Sequence, residues 1–178
     1  MAIAPGTYVL GPEQATLTVH TRKGGAASKA GHDLDIEVTS WQATLNVAED
    51  PSRSSLRLSA DSGSLKVREG HGGMMALGDS ERDSIEQSMR DDVLKGTAIA
   101  YASTAVTADG NGGLRVEGEL ELNGTRRPLG FDLAVADGRV TGTATVTQTA
   151  FGMKPFSALF GTLKVLDDVV VEVDGTLG

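Results

Sequence analysis

The side chains able to do chemistry in this chain are few, and their spacing limits what they can do. Of three histidines, His32 alternates in phase with Leu34, Ile36 and Val38, which places its imidazole on the inner face of a strand, near one end. There it serves either as a contact for a ligand head group or as an inner-face histidine satisfied by its neighbours. His20 and His71 stand isolated along the chain, and no H-x-x-x-H spacing occurs. With no cysteine present, zinc-thiolate, iron-sulfur and cysteine-nucleophile chemistry are excluded. The expectation is therefore no metal site and no cofactor.

Carboxylates add little. Asp33, Asp35 and Glu37 look like the start of a calcium loop, but the glycine such a loop needs at its sixth position is missing. Alternation puts all three on one outer, solvated strand face, and Glu117, Glu119 and Glu121 fall on another. Exposed groups of this kind have little cause to shift in pKa and make poor acid-base pairs. Neither a nucleophile elbow, a P-loop nor a dinucleotide fingerprint is present. No catalytic residue is expected; an enzyme acting on a lipid would have only His32 on its inner face to work with.

Two apolar groups fall outside the regular pattern. Residues 70–78 combine four glycines with Met74, Met75 and Leu77, an adaptable greasy surface that is costly in a purely solvated loop. Phe151, Met153, Phe156, Leu159 and Phe160 form the second group. Each either caps the core or lines a portal.

The elements that must position these residues are mostly strands. From Leu114 to Leu122 the apolar phase is Leu114, Val116, Leu120 and Leu122 against Arg115, Glu117, Glu119 and Glu121, a strand with one wet face. Asn123-Gly124 and Asp137-Gly138 suit type I′ hairpin turns. Between and after them run Leu129, Phe131, Leu133 and Val135, then Val140, Gly142, Ala144 and Val146. Further strands are expected at 8–21, 32–47, 54–67, 97–107 and 168–177, which makes eight. Two of them change phase, and a β-bulge is expected near Thr39-Ser40 and another near Gly63. A helix is expected over about 80–95, between the third and fourth strands, capped by Asp79 or by Ser80 with Asp83 and stopped by Gly96. Its stripe of Ile85, Met89 and Val93 lies across the barrel. A short helical turn is expected after Pro155, through Ser157 to Phe160.

The composition of 178 residues fits one domain spanning 1–178, rich in turns, with 23 glycines but only one Trp, two Tyr and four Phe. A net charge of −8 disfavours nucleic acid, whose binding runs on cation-driven counterion release, and anionic membrane surfaces as well. No run of about 18 apolar residues occurs, so stable membrane insertion is not expected. The N-terminus as given lacks a signal-peptide pattern, so the expected location is cytoplasmic, or periplasmic or secreted for a trimmed chain.

At this point the residues resemble a known family. The run from Gly118 to Leu133, with its alternating leucines and Gly124-x-x-Arg127-Pro128 hairpin, resembles that of the YceI-like, polyisoprenoid-binding proteins. Phe151-Gly152-Met153 resembles the aromatic-glycine-aliphatic motif of that family, and the segments from Tyr8 to Glu13 and from Lys29 to Leu34 are similar to the opening of its actinobacterial members. Two positions depart: Val93 stands where the family often has a histidine, and Gln148 where an arginine is usual.

The resemblance implies an all-β, extended eight-stranded antiparallel up-and-down β-barrel, lipocalin-like, whose lumen holds a polyisoprenoid, an isoprenoid quinone or another long-chain lipid. The partners expected are that lipid and, at most, a second copy of the chain as a homodimer. Joined to the alternation, it gives a ligand-binding set of His32, Leu34, Ile36, Met74, Met75 and Met89, then Ile99, Tyr101, Leu120, Phe131 and Leu133. Gly142, Ala144, Val146, Phe151, Met153, Phe156 and Phe160 complete the set. Gly118, Gly142 and Ala144 place almost no volume on the inner face, which is read as free space. A filled core without ligand is the alternative reading.

Overall fold

A computed structural model describes residues 3–158, 161 and 163–177. Alternating sequence becomes antiparallel sheet throughout. The strands are β1 (Gly6–Leu10), β2 (Ala15–His20), β3 (Lys23–Gly24), β4 (Asp33–Val38), β5 (Trp41–Val47), β6 (Ser55–Ala60) and β7 (Leu65–His71). After the helix α1 (Asp79–Ser88) come β8 (Ile99–Ala108), β9 (Leu114–Leu122), β10 (Thr125–Ala136) and β11 (Arg139–Thr147). Last are β12 (Ser157–Ala158), β13 (Leu163–Val165) and β14 (Asp168–Thr176).

Eleven of these form one sheet in the order β1-β5-β6-β8-β9-β10-β11-β14-β2-β4-β7. The expected eight passes become eleven strands because each of the first three is broken in two. β1 turns into β2 at Gly11, whose carbonyl accepts from the amides of Gln14 and Ala15, both at 3.0 Å. β4 breaks from β5 at Thr39-Ser40, and β6 from β7 at a 3-10 turn over Ser62–Ser64, the two positions where the apolar phase changes. The two breaks face each other. The buried Ser64 joins them: its carbonyl accepts from the Thr39 amide at 3.0 Å, and its Oγ accepts from the Ser40 amide at 3.1 Å. Since β2 continues β1, β4 continues β5 and β7 continues β6, the ladder returns to the strands it started from. The sheet therefore curls into a barrel.

Both hairpin turns have the positive φ of type I′: 54° and 71° at Asn123-Gly124, 52° and 77° at Asp137-Gly138. The inner phase packs a core in which Leu45, Val106 and Val116 are almost wholly buried.

Helical backbone runs from Asp79 to Val93, its last turn, Met89–Val93, being a π-turn, and Lys95 and Gly96 at φ 55° and 66° end it. The start differs from both expected caps, Asp79 and the Ser80–Asp83 box. Gly78 is the cap, and its amide donates to Glu81 Oε2 at 2.7 Å, because a carboxylate three residues on reaches that free donor whatever the cap residue is. Ile85 and Met89 pack against Leu34, Ile36 and Val67. At the free edge of β7, Glu86 Oε1 accepts from the Val67 amide at 3.1 Å, so the helix covers an edge that would otherwise be open to strand addition.

Residues Ser157–Ala158 are extended, not helical: β12 pairs with β13, which pairs with β3 in a separate three-stranded sheet. Cross-strand hydrogen bonds to a distant segment override the local helical tendency there. The rest of the expected turn, including Leu159 and Phe160, lies outside the described residues.

Candidate functional site

The inner faces of the barrel enclose a cavity of about 1080 Å³, at the upper end of the range for small-molecule sites. Every strand of the eleven-stranded sheet contributes to its wall, α1 lies along it, residues of β3 and β13 reach it, and the exposed Met74 and Met75 of the loop after β7 mark its mouth. Of the residues expected to meet a ligand, His32, Leu34, Ile36, Met74, Met75, Met89, Ile99, Tyr101, Leu120, Phe131, Leu133, Gly142, Ala144, Val146, Met153 and Phe156 all line it.

Phe151 does not. It is 3% exposed and part of the core, in a 3-10 turn whose carbonyl accepts from Asn123 Nδ2 at 3.1 Å. It sits in a turn, where the alternation of a strand no longer assigns a side chain to the lumen. Phe160 lies outside the described residues.

A filled core would seal the inner phase. Here Ile99, Phe131, Gly142, Ala144, Val171 and Val173 point inward yet stay only half-buried, because part of each borders the cavity. The two inward glycines, however, do not mark free space. A Cβ on Gly142 would lie 2.8 Å from Leu133 Cδ2 and 2.9 Å from the Asp132 carbonyl, and one on Gly118 would lie 2.6 Å from the Tyr101 hydroxyl. Both are glycine because neighbouring chains approach closely. Of the three small residues named from the alternation, Ala144, opposite Val171, is the one left bordering the lumen without such a close approach.

His32 is at the mouth, not deep inside. Its Nε2 donates to the Met75 carbonyl at 2.8 Å, and a side chain at Gly73 would come within 2.5 Å of that nitrogen. The imidazole is thus satisfied by the loop it pins down, and Met74 and Met75 are left 79% and 80% exposed at the rim. Tyr101, in the wall, donates to the Leu129 carbonyl at 2.8 Å and packs its ring 5.3 Å from that of Phe131. Burial, with the nearby Glu117 charge, pushes its pKa up to about 12.

Several lining residues were not foreseen. Val171 and Val173 share the alternation of β14 with Val169, and that period was signal enough to place them. Gln148, at the position compared with an arginine, is buried in the wall and donates to the Leu166 carbonyl at 3.2 Å. Lys23 and Lys164 reach the cavity from β3 and β13; a two-residue strand leaves no readable period.

The histidines read as isolated are not. His20 Nδ1 lies 2.8 Å from Asp35 Oδ1 and His71 Nε2 lies 2.6 Å from Asp35 Oδ2, on the outer face. The hydrogen bond to Asp35 raises the pKa of each histidine. For Asp35, burial pulls the other way but the hydrogen bonds from His71 and His20 prevail, and its carboxyl is held below the ordinary value.

Fold and lumen define an antiparallel β-barrel of lipocalin-like shape. The YceI-like domain model matches residues 8–177, and the chain belongs to that family. Among solved structures, the chain is similar to Burkholderia cenocepacia BcnA, at 15% identity and a TM-score of 0.65, over 90% of this chain and 94% of that one. It is also similar to a mutant CJ YceI protein with a monobromobimane guest, at 11% identity and a TM-score of 0.51, over 79% of this chain and 83% of that one. At such identities the likeness speaks for the fold. No curated protein matches the chain. Among the described residues, no helix is long and apolar enough to cross a membrane.

Proposed function

We propose that this protein binds, without covalent chemistry, one long apolar molecule of the isoprenoid type, a polyisoprenoid or isoprenoid quinone, for storage, transport or sequestration. The observation that carries this reading is the lumen itself: about 1080 Å³ lined chiefly by leucine, isoleucine, valine, methionine and aromatic side chains, with few polar groups among them. At about 0.8 kcal/mol per buried CH₂, each five-carbon unit contributes roughly 3 to 4 kcal/mol before ordering costs. Two or three buried units then suffice for micromolar affinity, so grip on the tail outweighs recognition of the head.

Membership of a family of binding proteins supports the same reading. A filled-core barrel is disfavoured by the half-buried inner phase. A lipid hydrolase is disfavoured by His32, whose Nε2 is committed to the Met75 carbonyl and which, among the described residues, hydrogen-bonds no nucleophile. Lys23 and Lys164 at the mouth give an anionic head group, such as a phosphate, a place to rest.

Native mass spectrometry of the protein purified from its own host tests the proposal. A retained mass matching a prenyl lipid supports it. Protein that is uniformly free of ligand, and that takes up no prenyl or fatty-acyl probe when mixed with one, overturns it.

A further inference from the structure

The outer face of the barrel carries a cluster that lipid binding does not use. Strands β14, β2, β4 and β7 lie side by side, with His20 opposite Asp35 and Asp35 opposite Glu69 in the register. On β2, β4 and β14 the alternation that sends Val19, Ile36 and Val171 inward sends His20, Asp35 and Glu172 outward. On β7 it would send Glu69 inward along with Val67. The register shift between Asp35 and Ile36 inserts Arg68 as an extra residue, and this bulge turns Glu69 and His71 to the outer face beside Asp35. Re-aiming a side chain is a recurrent use of such bulges.

The result sets two carboxylates directly opposite each other on neighbouring strands, a like-charge pair whose repulsion His71, in contact with both, offsets when protonated and a divalent ion would offset more fully. One donor atom from each of Asp35, Glu69 and His71 falls within 4.8 Å of the others. His71 Nε2 hydrogen-bonds Asp35 Oδ2 at 2.6 Å and lies 3.6 Å from Glu69 Oε2, so a proton given up by His71 and an opening of under about 1 Å bring the first pair to the ~3.3 Å between ligands on a tetrahedral ion bonded at about 2.0 Å. Behind this trio, His20 Nδ1 holds the other Asp35 oxygen at 2.8 Å, and its Nε2 lies 3.3 Å from Glu172 Oε1. Such a chain fixes the orientation of a ligating carboxylate.

We propose that Asp35, Glu69 and His71 form a binding site for a divalent transition-metal ion of the zinc type, with His20 as a positioning residue behind Asp35. One imidazole and two carboxylates, with no sulfur, suit a borderline cation that completes its shell with water, and the imidazole discriminates against magnesium and calcium. The ion clasps β7, the edge strand, to β4. Since β7 runs directly into the loop bearing Met74 and Met75, the clasp stiffens the approach to the mouth. This site is separate from the lumen and stands or falls independently of what the lumen holds.

The test is calorimetric titration of tag-free protein with zinc chloride, with magnesium chloride as the contrasting probe, alongside thermal denaturation. One zinc per chain is expected, with Tm rising by about 3 to 5 °C at a zinc concentration ten times Kd and falling back on addition of EDTA; magnesium gives neither effect. His71→Ala and Asp35→Asn each weaken zinc binding at least ten-fold, and His20→Ala weakens it a few-fold. His32→Ala leaves it unchanged. Glu69→Gln, at an exposed position that the fold does not need, weakens zinc binding in a protein of unchanged Tm and guards against misreading a folding defect. Absence of saturable zinc binding, or the same affinity and stoichiometry in the His71 and Glu69 variants, overturns the proposal.

Discussion

The Tyr101 hydroxyl reaches the Leu129 carbonyl at 2.8 Å across a gap that exists because residue 118 is glycine: a Cβ there would lie 2.6 Å from the hydroxyl oxygen. Gly118 is also the register partner of Leu129, and its missing side chain lets a tyrosine from β8 lie over β9 to bond β10.

Gly118→Ala is accordingly expected to destabilise the barrel by about 1 to 3 kcal/mol, the usual cost of overpacking, despite the general preference for alanine over glycine in strands. Tyr101→Phe removes only the hydrogen bond, at about 0.5 to 1.5 kcal/mol, and in the double variant relieves only the hydroxyl's share of the alanine's overlap, since the Ala102 carbonyl and Ser103 Cα remain close. Urea denaturation of the four proteins measures both values and their coupling; additive effects would show that the two residues do not share this gap.

Tyr101 also governs an alkaline transition. Its folded pKa of about 12 lies above the ordinary value of 10.0, so the neutral phenol is favoured in the folded state. That contribution is complete below pH 10 and is lost as the pH rises through 12. Spectroscopic titration is expected to show a tyrosinate step near pH 12 that Tyr101→Phe abolishes, and stability falling between pH 10 and 12 less steeply in that variant.

Ala144 reports on the lumen. Replacement with Phe is expected to fill part of the cavity and lower affinity for a fluorescent prenyl probe at least ten-fold, with stability changed by less than about 1 kcal/mol, since occupying a real cavity avoids the 1 to 3 kcal/mol cost of overpacking. Thr145→Leu, on the exposed phase, changes solubility but not probe affinity. A strongly destabilised Ala144→Phe would mean that the inner face is packed.

Glu86 protects an edge. Glu86→Ala leaves the Val67 amide without its partner and is expected to cost about 1 to 3 kcal/mol. The bared β7 edge should also favour association of chains. Analytical ultracentrifugation of the variant is expected to show concentration-dependent self-association beyond that of the wild type; identical sedimentation would show that the helix backbone alone shields the edge.

Much of this architecture was legible along the chain because the signals are local. The two-residue period of Leu114 to Leu122, the positive-φ turns at Asn123-Gly124 and Asp137-Gly138, and the phase changes at Thr39-Ser40 and near Gly63 each depend on a few adjacent residues, and they placed most of the cavity wall. What alternation could not give was the company each side chain keeps. By alternation alone Gly118 and Gly142 offer room for a ligand; cross-strand register makes them places where Tyr101 and Leu133 approach. His20 and His71, 51 positions apart in the chain, were read as isolated; strand order brings both to Asp35, and a bulge that no local period announces turns His71 outward. Two-residue strands such as β3 carry no period at all and exist only because β13 is there to pair with. Periodicity along one strand determines which face a side chain takes, whereas its neighbours on that face are set by hydrogen-bond register between segments distant in sequence, and register is a property of the closed sheet.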